Sequence, residues 1–219
     1  FEYIVLRLTF PEMILPDGMD WRVHLAELRK IDFSAYGGLK YDVHYRLLNA
    51  VDYGVPQSRE RVFIVGLRHD LGLKWEWPAK AAHRMTIADA IGRLPDARRK
   101  NRLGDHVFID GAREYPGHTG SDYNKPSKTI KAGAHGVPGG ENMIRFPDGS
   151  LRYMTVHEAK LIQYFPGDYR ICGSWGEALR QIGNAVPVRL ARVVGEQMRK
   201  TLNTTNRTNI RRKANAAAS

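Results

Sequence analysis

The most constraining feature of this chain is an uninterrupted apolar run at residues 62–67, which is rich in β-branched side chains. A strand that is apolar on both faces is typical of a sheet covered by two layers, as in an α/β domain. A turn-rich stretch at residues 49–57 precedes it, and a second strand is predicted over residues 41–48. We therefore expect an α/β fold, and 219 residues suffice for one large domain or two small ones.

Helix signals follow later in the chain. Thr155 and Glu158 have the three-residue spacing of a capping box, which would open a helix that ends before Pro166. Pro187 suits the first position of a helix, where its missing N–H costs nothing. Apolar residues at helical spacing continue this last helix to about Leu202.

Two segments look irregular. Residues 73–150 are rich in Gly, Pro, Asn and His, and a short helix near Thr86 is the clearest element predicted there, so we expect a small, loop-rich subdomain. Residues 203–219 consist mainly of Asn, Thr, Ala and basic residues and contain no acid. Such a composition predicts a disordered basic tail.

The charge balance favours a polyanionic partner. Thirty-four Lys and Arg against 23 Asp and Glu leave a net charge of +11. A surplus of this size is typical of nucleic-acid-binding proteins, and an anionic membrane surface is the alternative partner. The single cysteine, Cys172, excludes an internal disulfide and a cysteine-based metal cluster and fits a reducing compartment.

The residues just before the apolar run carry the strongest chemical signal. In an extended chain, side chains two residues apart share a face, so Gln57, Arg59 and Arg61 would point the same way. Two guanidinium groups and an amide in a row suit phosphate oxygens, a carboxylate or a base edge. The alternative is an ordinary solvated strand entry, with Glu60 on the opposite face.

Three segments of the chain resemble conserved blocks of the DNA (cytosine-5) methyltransferases, in the family's order. Residues 49–66 are similar to the eighth block, which centres on Gln-x-Arg-x-Arg; residues 152–166 are similar to the ninth; and residues 180–188 are similar to the tenth. We call them the eighth-, ninth- and tenth-block segments. An isolated Gln-x-Arg-x-Arg is a weak signal, whereas the ordered set is a strong one.

The ninth-block segment departs from the family pattern at three positions. Val156 and His157 stand where the family has Pro and Arg, and Tyr164 stands where it has Gly. The helix cap is unaffected by these changes. A specific role of the family's Arg is not carried over to His157.

The resemblance implies roles for the eighth- and tenth-block segments. Arg61 would contact the target cytosine, Arg59 would hold a backbone phosphate or a neighbouring acid, and Gln57 would help to order the pocket. A turn in the tenth-block segment would line the methionine end of the cofactor S-adenosylmethionine, and a Gly-Asn turn before a helix can bring exposed amides close to a carboxylate. The alternative is an ordinary turn into a core helix. The residues of this turn are Asn184, Ala185 and Val186.

The resemblance also makes residues 73–150 the target-recognition domain, which reads double-stranded DNA in the major groove. The family has a Thr-containing strand and a glycine-rich loop late in this region, and residues 129–140 fit that description. Glycines bring backbone amides close to base edges, and basic side chains add donors. A flexible surface loop is the alternative. The candidate DNA-binding residues are Thr129, Lys131, His135 and Gly136.

The family's nucleophile has no counterpart in this sequence. Methyl transfer requires a cysteine thiolate, from a Pro-Cys dipeptide, that adds to C6 of a flipped-out cytosine, and a Glu from a Glu-Asn-Val block. Both precede the eighth block in the family, whereas Cys172 lies between the ninth- and tenth-block segments. We therefore expect no methyl transfer by this chain alone.

Together these features predict the carboxy-terminal part of a Rossmann-like, S-adenosylmethionine-dependent methyltransferase domain with a small, loop-rich target-recognition domain. The expected boundaries are 1–72 and 151–202 for the catalytic domain, 73–150 for target recognition and 203–219 for the tail. The chain would be a truncated enzyme, or one subunit completed by a second chain with the amino-terminal blocks, in the bacterial cytoplasm. The alternative is a non-catalytic DNA-binding remnant or regulatory module.

Overall fold

The structure, a computed structural model, describes residues 1–116, 118–132 and 142–217, with side chains described up to Thr204. The chain divides into two compact units. The first comprises Phe1–Leu47, Val62–Trp77 and Glu196–Ser219, and the second comprises Leu48–Arg61 and Pro78–Gly195. The domain boundaries expected at residues 72, 150 and 202 stay predictions; the second compact unit contains both residues 78–150 and the ninth-block segment.

The first unit begins with two helices that pack on each other, α1 (Glu2–Thr9) and α2 (Trp21–Leu28). Asp20 caps α2, since its carboxylate accepts a hydrogen bond from the Arg22 amide at 2.7 Å. Leu28 at the end of α2 is buried.

A two-stranded ladder follows, formed by β1 (Tyr41–Asn49) and β2 (Glu60–Arg68). The prediction of two strands is confirmed, but the prediction that the apolar run is buried on both faces is wrong. Val65 and Leu67 are buried, whereas Val62 is 54% exposed and Ile64 37% exposed. Val62 and Ile64 share one face of β2 and Val65 and Leu67 share the other, so the first face of this strand is exposed to solvent and the second is buried.

The second unit is built on helices α3 (Ile87–Ile91), α4 (Val156–Ile162) and α5 (Trp175–Asn184) and a small sheet. Strand β3 (Ser121–Asp122) pairs parallel with β4 (Met143–Arg145), which pairs antiparallel with β5 (Leu151–Tyr153). Helix α4 contacts both α3 and α5. The buried core comprises Ile87, Ile91, Ile130, Ile144, Met154, Ala159, Ile162, Leu179 and Ile182.

Capping boxes begin two of these helices. The Thr155 hydroxyl accepts from the Glu158 amide at 3.2 Å and the Glu158 carboxylate accepts from the Thr155 amide at 2.9 Å, which confirms the predicted box of α4. Arg152 adds a two-pronged ion pair to the same carboxylate, at 2.7 and 2.5 Å. Thr86 and Asp89 form the box of α3, the short helix predicted in the loop-rich region.

The last helix, α6, runs from Val188 to Ala217. It includes residues 203–217, for which the composition predicts a disordered basic tail. After Gly195 the segment contains neither Gly nor Pro to end the helix, and its Ala, Arg and Lys residues have high helix propensity. Pro187 directly precedes α6, and its carbonyl accepts from the Ala191 amide at 3.0 Å.

Candidate functional site

The site is organised around Arg59, which is buried to 2% exposure in the second unit. Its Nη1 donates to the carbonyl of Ile130 at 2.9 Å, and its Nη2 donates to the carbonyls of Gly183 and, at 3.3 Å, Ala185. The guanidinium thus joins the eighth-block segment to Ile130 and to the tenth-block segment. These donors point to backbone carbonyls inside the protein, and the expected contact of Arg59 with a backbone phosphate or a neighbouring acid stays a prediction.

The predicted face shared by Gln57, Arg59 and Arg61 turns toward the interior. Gln57 and Arg59 are buried, the intervening Ser58 and the following Glu60 are exposed, and Arg61 is half-buried. The alternation of side chains is therefore as expected for an extended segment. The solvated strand entry is excluded for the first two residues.

Residues 127–129 run beside this extended stretch. The Ser58 amide donates to the carbonyl of Ser127 at 2.8 Å, and the Ser127 amide donates to the carbonyl of Pro56 at 2.9 Å. Thr129 continues the contact, since its hydroxyl donates to the Ser58 carbonyl at 2.8 Å. This predicted DNA-binding residue is thus placed at the eighth-block segment, and its hydroxyl proton is already used within the protein.

The remaining predicted DNA-binding residues are only partly described. Lys131 is exposed, and its amide donates to the Asn142 side chain at 3.3 Å. His135 and Gly136 lie outside the described residues. The structure therefore places Thr129 and Lys131 in one segment next to Gln57 and Arg59.

Gln163, which the sequence reasoning did not single out, links the three block segments. Its Nε2 donates to the carbonyl of Ile182 at 2.7 Å and to that of Ala185 at 3.3 Å, while its Oε1 accepts from Gln57 at 3.4 Å. Its own carbonyl accepts from the Val188 amide at 3.2 Å. An amide one helical turn after buried Ala159 and next to buried Ile162 was the available signal, since a polar residue on an apolar helix face needs internal partners.

The tenth-block segment differs from the expected Gly-Asn turn. Gly183 and Asn184 are the last residues of α5, and the turn comprises residues 185–187. Helix α5 continues through Gly183 because its missing side chain allows close packing: a Cβ there would lie 2.6 Å from the amide nitrogen of Ala132. Asn184 and Val186 are exposed and Ala185 is half-buried, so the turn lies at the surface of the unit.

The site is strongly cationic. Burial, and secondarily the positive charge of Arg61, lower the pKa of Arg59 to about 10, so the group remains charged at neutral pH. The Nη1 of Arg61 donates to the neighbouring Glu60 carbonyl at 2.6 Å. Two buried polar atoms, Arg59 Nε and Gln57 Oε1, have no hydrogen-bond partner among the described residues. The internal hydrogen bonds of the site therefore leave these two polar atoms unpaired within the described part of the chain.

His157, at the position of the family's Arg, belongs to a separate network. Its Nδ1 lies 2.8 Å from one carboxylate oxygen of Asp105, and the Nζ of Lys160 lies 2.5 Å from the other. Burial alone would raise the pKa of Asp105, but the hydrogen bonds from Lys160 and His157 outweigh it and lower the pKa. The contact between His157 and Asp105 thus links α4 to the loop that contains Asp105.

Other kinds of site are not found in the described part of the chain. No group of three or more His, Cys, Asp or Glu is arranged to hold a metal ion within residues 1–116, 118–132 and 142–217. Across the same residues, the search for membrane-spanning helices finds none of sufficient length and apolarity.

Comparison with known proteins gives relatives of one kind. M.MthTI, a type II methyltransferase of Methanothermobacter thermautotrophicus, is 34% identical over 212 residues, which cover 84% of this chain and 64% of M.MthTI. M.BspRI of Lysinibacillus sphaericus is 35% identical over 201 residues, which cover 76% of this chain and 45% of M.BspRI. The chain thus spans less than two thirds of the length of either relative.

Two solved structures share the fold. A DNA modification methyltransferase encoded within an E. coli prophage superposes with a TM-score of 0.56 at 19% identity, covering 87% of this chain and 67% of that protein. The Entamoeba histolytica methyltransferase EhMeth superposes with a TM-score of 0.54 at 17% identity, covering 74% of this chain and 54% of EhMeth. The mixed α/β architecture is therefore that of a methyltransferase, as predicted. The C-5 cytosine-specific DNA methylases match residues 26–200, and this chain belongs to that family.

Proposed function

We propose that this chain is the carboxy-terminal part of a DNA (cytosine-5) methyltransferase, which transfers the methyl group of S-adenosylmethionine to C5 of a cytosine in a specific DNA sequence. The observation that carries the proposal is the convergence of Arg59 and Gln163 on the carbonyl of Ala185, each at 3.3 Å. It joins the three segments that resemble the family's eighth, ninth and tenth blocks into one site.

Within this site we assign separate roles to the buried and the accessible residues. Gln57 and Arg59 position the site through their internal hydrogen bonds, and half-buried Arg61 contacts the target cytosine. The cofactor's methionine end binds at the surface turn, whose accessible backbone suits a carboxylate. The residues proposed for this contact are Asn184, Ala185 and Val186.

Double-stranded DNA is the proposed partner of the target-recognition region, residues 73–150. Exposed Lys131 is proposed to contact bases, and Thr129 is proposed to position the same segment. His135 and Gly136 are proposed as DNA-binding residues from the sequence alone. A surface cluster of basic residues suits backbone phosphates. Its members, all exposed, are Arg93, Arg98, Arg99, Lys100 and Arg102.

A second polypeptide segment would supply the nucleophilic cysteine. Cys172 is exposed and lies between α4 and α5, away from the eighth-block segment in sequence. The open face of the β1–β2 ladder offers a place for additional structure, since Tyr45 and Leu47 on β1 and Val62 and Ile64 on β2 are exposed. An apolar sheet face of this kind favours burial against further chain. We propose that the amino-terminal blocks pack there.

Methyl transfer assays test the proposal. The chain alone, incubated with DNA and labelled S-adenosylmethionine, should incorporate no label. Addition of a polypeptide with the family's amino-terminal blocks, including Pro-Cys and Glu-Asn-Val, should restore incorporation. The same polypeptide with its cysteine changed to alanine is the control. Incorporation of label by the chain alone would overturn the proposal that a second polypeptide supplies the cysteine. Absence of incorporation when the chain is mixed with the unmodified added polypeptide would support a non-catalytic DNA-binding module.

A further inference from the structure

Tyr164 adopts a backbone conformation that is unusual for its side chain. Its φ is 65°, and it is the one non-glycine residue with positive φ in the described part of the chain. The left-handed region is disfavoured by the Cβ atom, and such outliers persist where surrounding contacts hold them. Tyr164 occupies the position of the family's Gly, which explains why a glycine suits that position and raises the question of what a tyrosine adds.

The side chain of Tyr164 contacts Arg189. Its Nη1 donates to the Tyr164 hydroxyl at 2.5 Å, and its guanidinium carbon lies 5.0 Å from the centre of the Tyr164 ring. Its Nε donates to the carbonyl of Tyr53 at 3.0 Å. One side chain, from the second residue of α6, therefore contacts both the eighth- and the ninth-block segments.

Gly54 shows how closely Arg189 approaches the eighth-block segment. Gly54 has a φ of 75°, and a Cβ at this position would lie 2.9 Å from the Nε of Arg189. The absent side chain leaves the space through which the guanidinium passes.

We propose that Arg189 is a positioning residue that fixes the turn at residues 185–187, with Tyr164 and Tyr53 as its anchors. The turn lies immediately before α6, and on its other side Ala185 is held by Arg59 and Gln163. Arg189 holds the α6 end of the turn. The consequence for cofactor binding rests on the proposed function, because that turn is the proposed site for the methionine end of S-adenosylmethionine.

Amide hydrogen exchange in the 219-residue chain tests the positioning. The Val188 amide, which donates to the Gln163 carbonyl at 3.2 Å, is the reporter. Arg189→Lys keeps the positive charge but replaces the branched guanidinium, which donates to two partners, by a single ammonium group. We therefore expect amide exchange at Val188 to be about tenfold faster than in the wild type. Arg192→Lys, at an exposed position of the same helix, is the matched control and should leave exchange unchanged. Unchanged exchange in Arg189→Lys would overturn the proposal.

Two tyrosine variants separate the side chain from its backbone conformation. Tyr164→Phe removes the hydroxyl and should accelerate exchange less than Arg189→Lys. Tyr164→Gly relieves the left-handed backbone yet removes the ring, and we expect it to accelerate exchange as Arg189→Lys does. If Tyr164→Gly instead slows exchange, the tyrosine serves no positioning role and the proposal fails.

The consequence for cofactor binding is tested in the complemented enzyme, which is this chain together with the polypeptide that carries the amino-terminal blocks. Arg189→Lys should raise the KM for S-adenosylmethionine about tenfold and change kcat by less than about twofold, which a general loss of folded protein would not do. An unchanged KM together with faster exchange at Val188 would overturn the cofactor consequence. If the wild-type complemented enzyme is inactive, the proposed function fails, and the exchange measurements decide the positioning role by themselves.

Discussion

The Arg59 guanidinium donates to the carbonyl of Ile130 at 2.9 Å, across 71 positions of sequence. Both residues are almost fully buried, and the described partners of this cation are backbone carbonyls. A buried charge is tolerated when hydrogen bonds replace its hydration, so each of these carbonyls matters to the stability of the second unit.

Replacing Arg59 should therefore destabilise the chain strongly. Arg59→Met leaves the carbonyls of Ile130, Gly183 and Ala185 without their donor, and we expect a loss of about 3–5 kcal/mol in the free energy of unfolding. Arg59→Lys should lose less than Arg59→Met, because its ammonium group can still donate to a carbonyl, but it cannot reach carbonyls on both sides and should remain less stable than the wild type. Urea unfolding followed by circular dichroism measures both. A loss below 1 kcal/mol for Arg59→Met, about the value of one neutral hydrogen bond, would contradict this role.

Replacing Arg61 should affect methyl transfer strongly and stability little. It is half-buried and its described hydrogen bond goes to the adjacent Glu60 carbonyl, so Arg61→Ala should change the unfolding free energy by less than about 1 kcal/mol. In the complemented enzyme, the same variant should lower methyl transfer much more than Arg207→Ala does. Equal effects of the two substitutions would show that Arg61 is an ordinary surface charge.

Gly183 and Gly176 form a matched pair within α5. A Cβ at Gly183 would press on backbone atoms, 2.6 Å from the Ala132 nitrogen and 2.8 Å from the Lys131 carbonyl carbon, whereas Gly176 has nothing within 4 Å. Gly183→Ala should cost about 1–3 kcal/mol of stability, because backbone must move. Gly176→Ala should stabilise by about 0.5–1 kcal/mol through helix propensity. Thermal unfolding of the two variants checks the prediction, and the same sign of change in both would refute it.

The eighth-block segment shows what the sequence could and could not reveal. Alternation predicted that Gln57, Arg59 and Arg61 share a face, and the structure agrees. It could not predict that this face is buried, because the partners that bury it, Ile130 and Gly183, are 71 and 124 positions away. Local periodicity relates neighbouring side chains to one another, whereas burial depends on tertiary packing.

The predicted strand shows the same limit of sequence periodicity. The apolar composition of residues 62–67 correctly predicted a strand, but exposure of Val62 and Ile64 depends on which elements cover the ladder. The composition of residues 203–217 indicated disorder, although no residue there interrupts α6. The position of Gln163 on an apolar helix face indicated that it needs internal partners, but the sequence could not identify those partners, which are Gln57 and two backbone carbonyls distant in sequence.

Asp105 should make stability depend on pH in the acidic range. Its pKa is lowered in the folded state, so its ionisation favours folding above the ordinary value near 4, and this contribution is lost as the pH falls toward the folded-state value. Asp105→Asn should cost about 2 kcal/mol at pH 7 and progressively less below about pH 4.

Unfolding curves between pH 3 and 7 measure this difference. Asp110→Asn, an exposed carboxylate whose contact is with the next amide, is the control and should show a small difference at every pH. A cost of Asp105→Asn that stays constant down to pH 3 would mean that the ion pairs with His157 and Lys160 do not stabilise the fold.

The open face of the β1–β2 ladder should matter to assembly and not to the stability of this chain. Val62 is 54% exposed, so Val62→Lys should leave the unfolding free energy within about 0.5 kcal/mol of the wild type. If the amino-terminal blocks cover this face, the buried lysine should lower the affinity for the complementing polypeptide at least tenfold. Val107→Lys, at a position that is 57% exposed in the second unit, should leave the affinity unchanged. Titration of methyl transfer with the complementing polypeptide measures both variants, and equal midpoints would place the partner elsewhere.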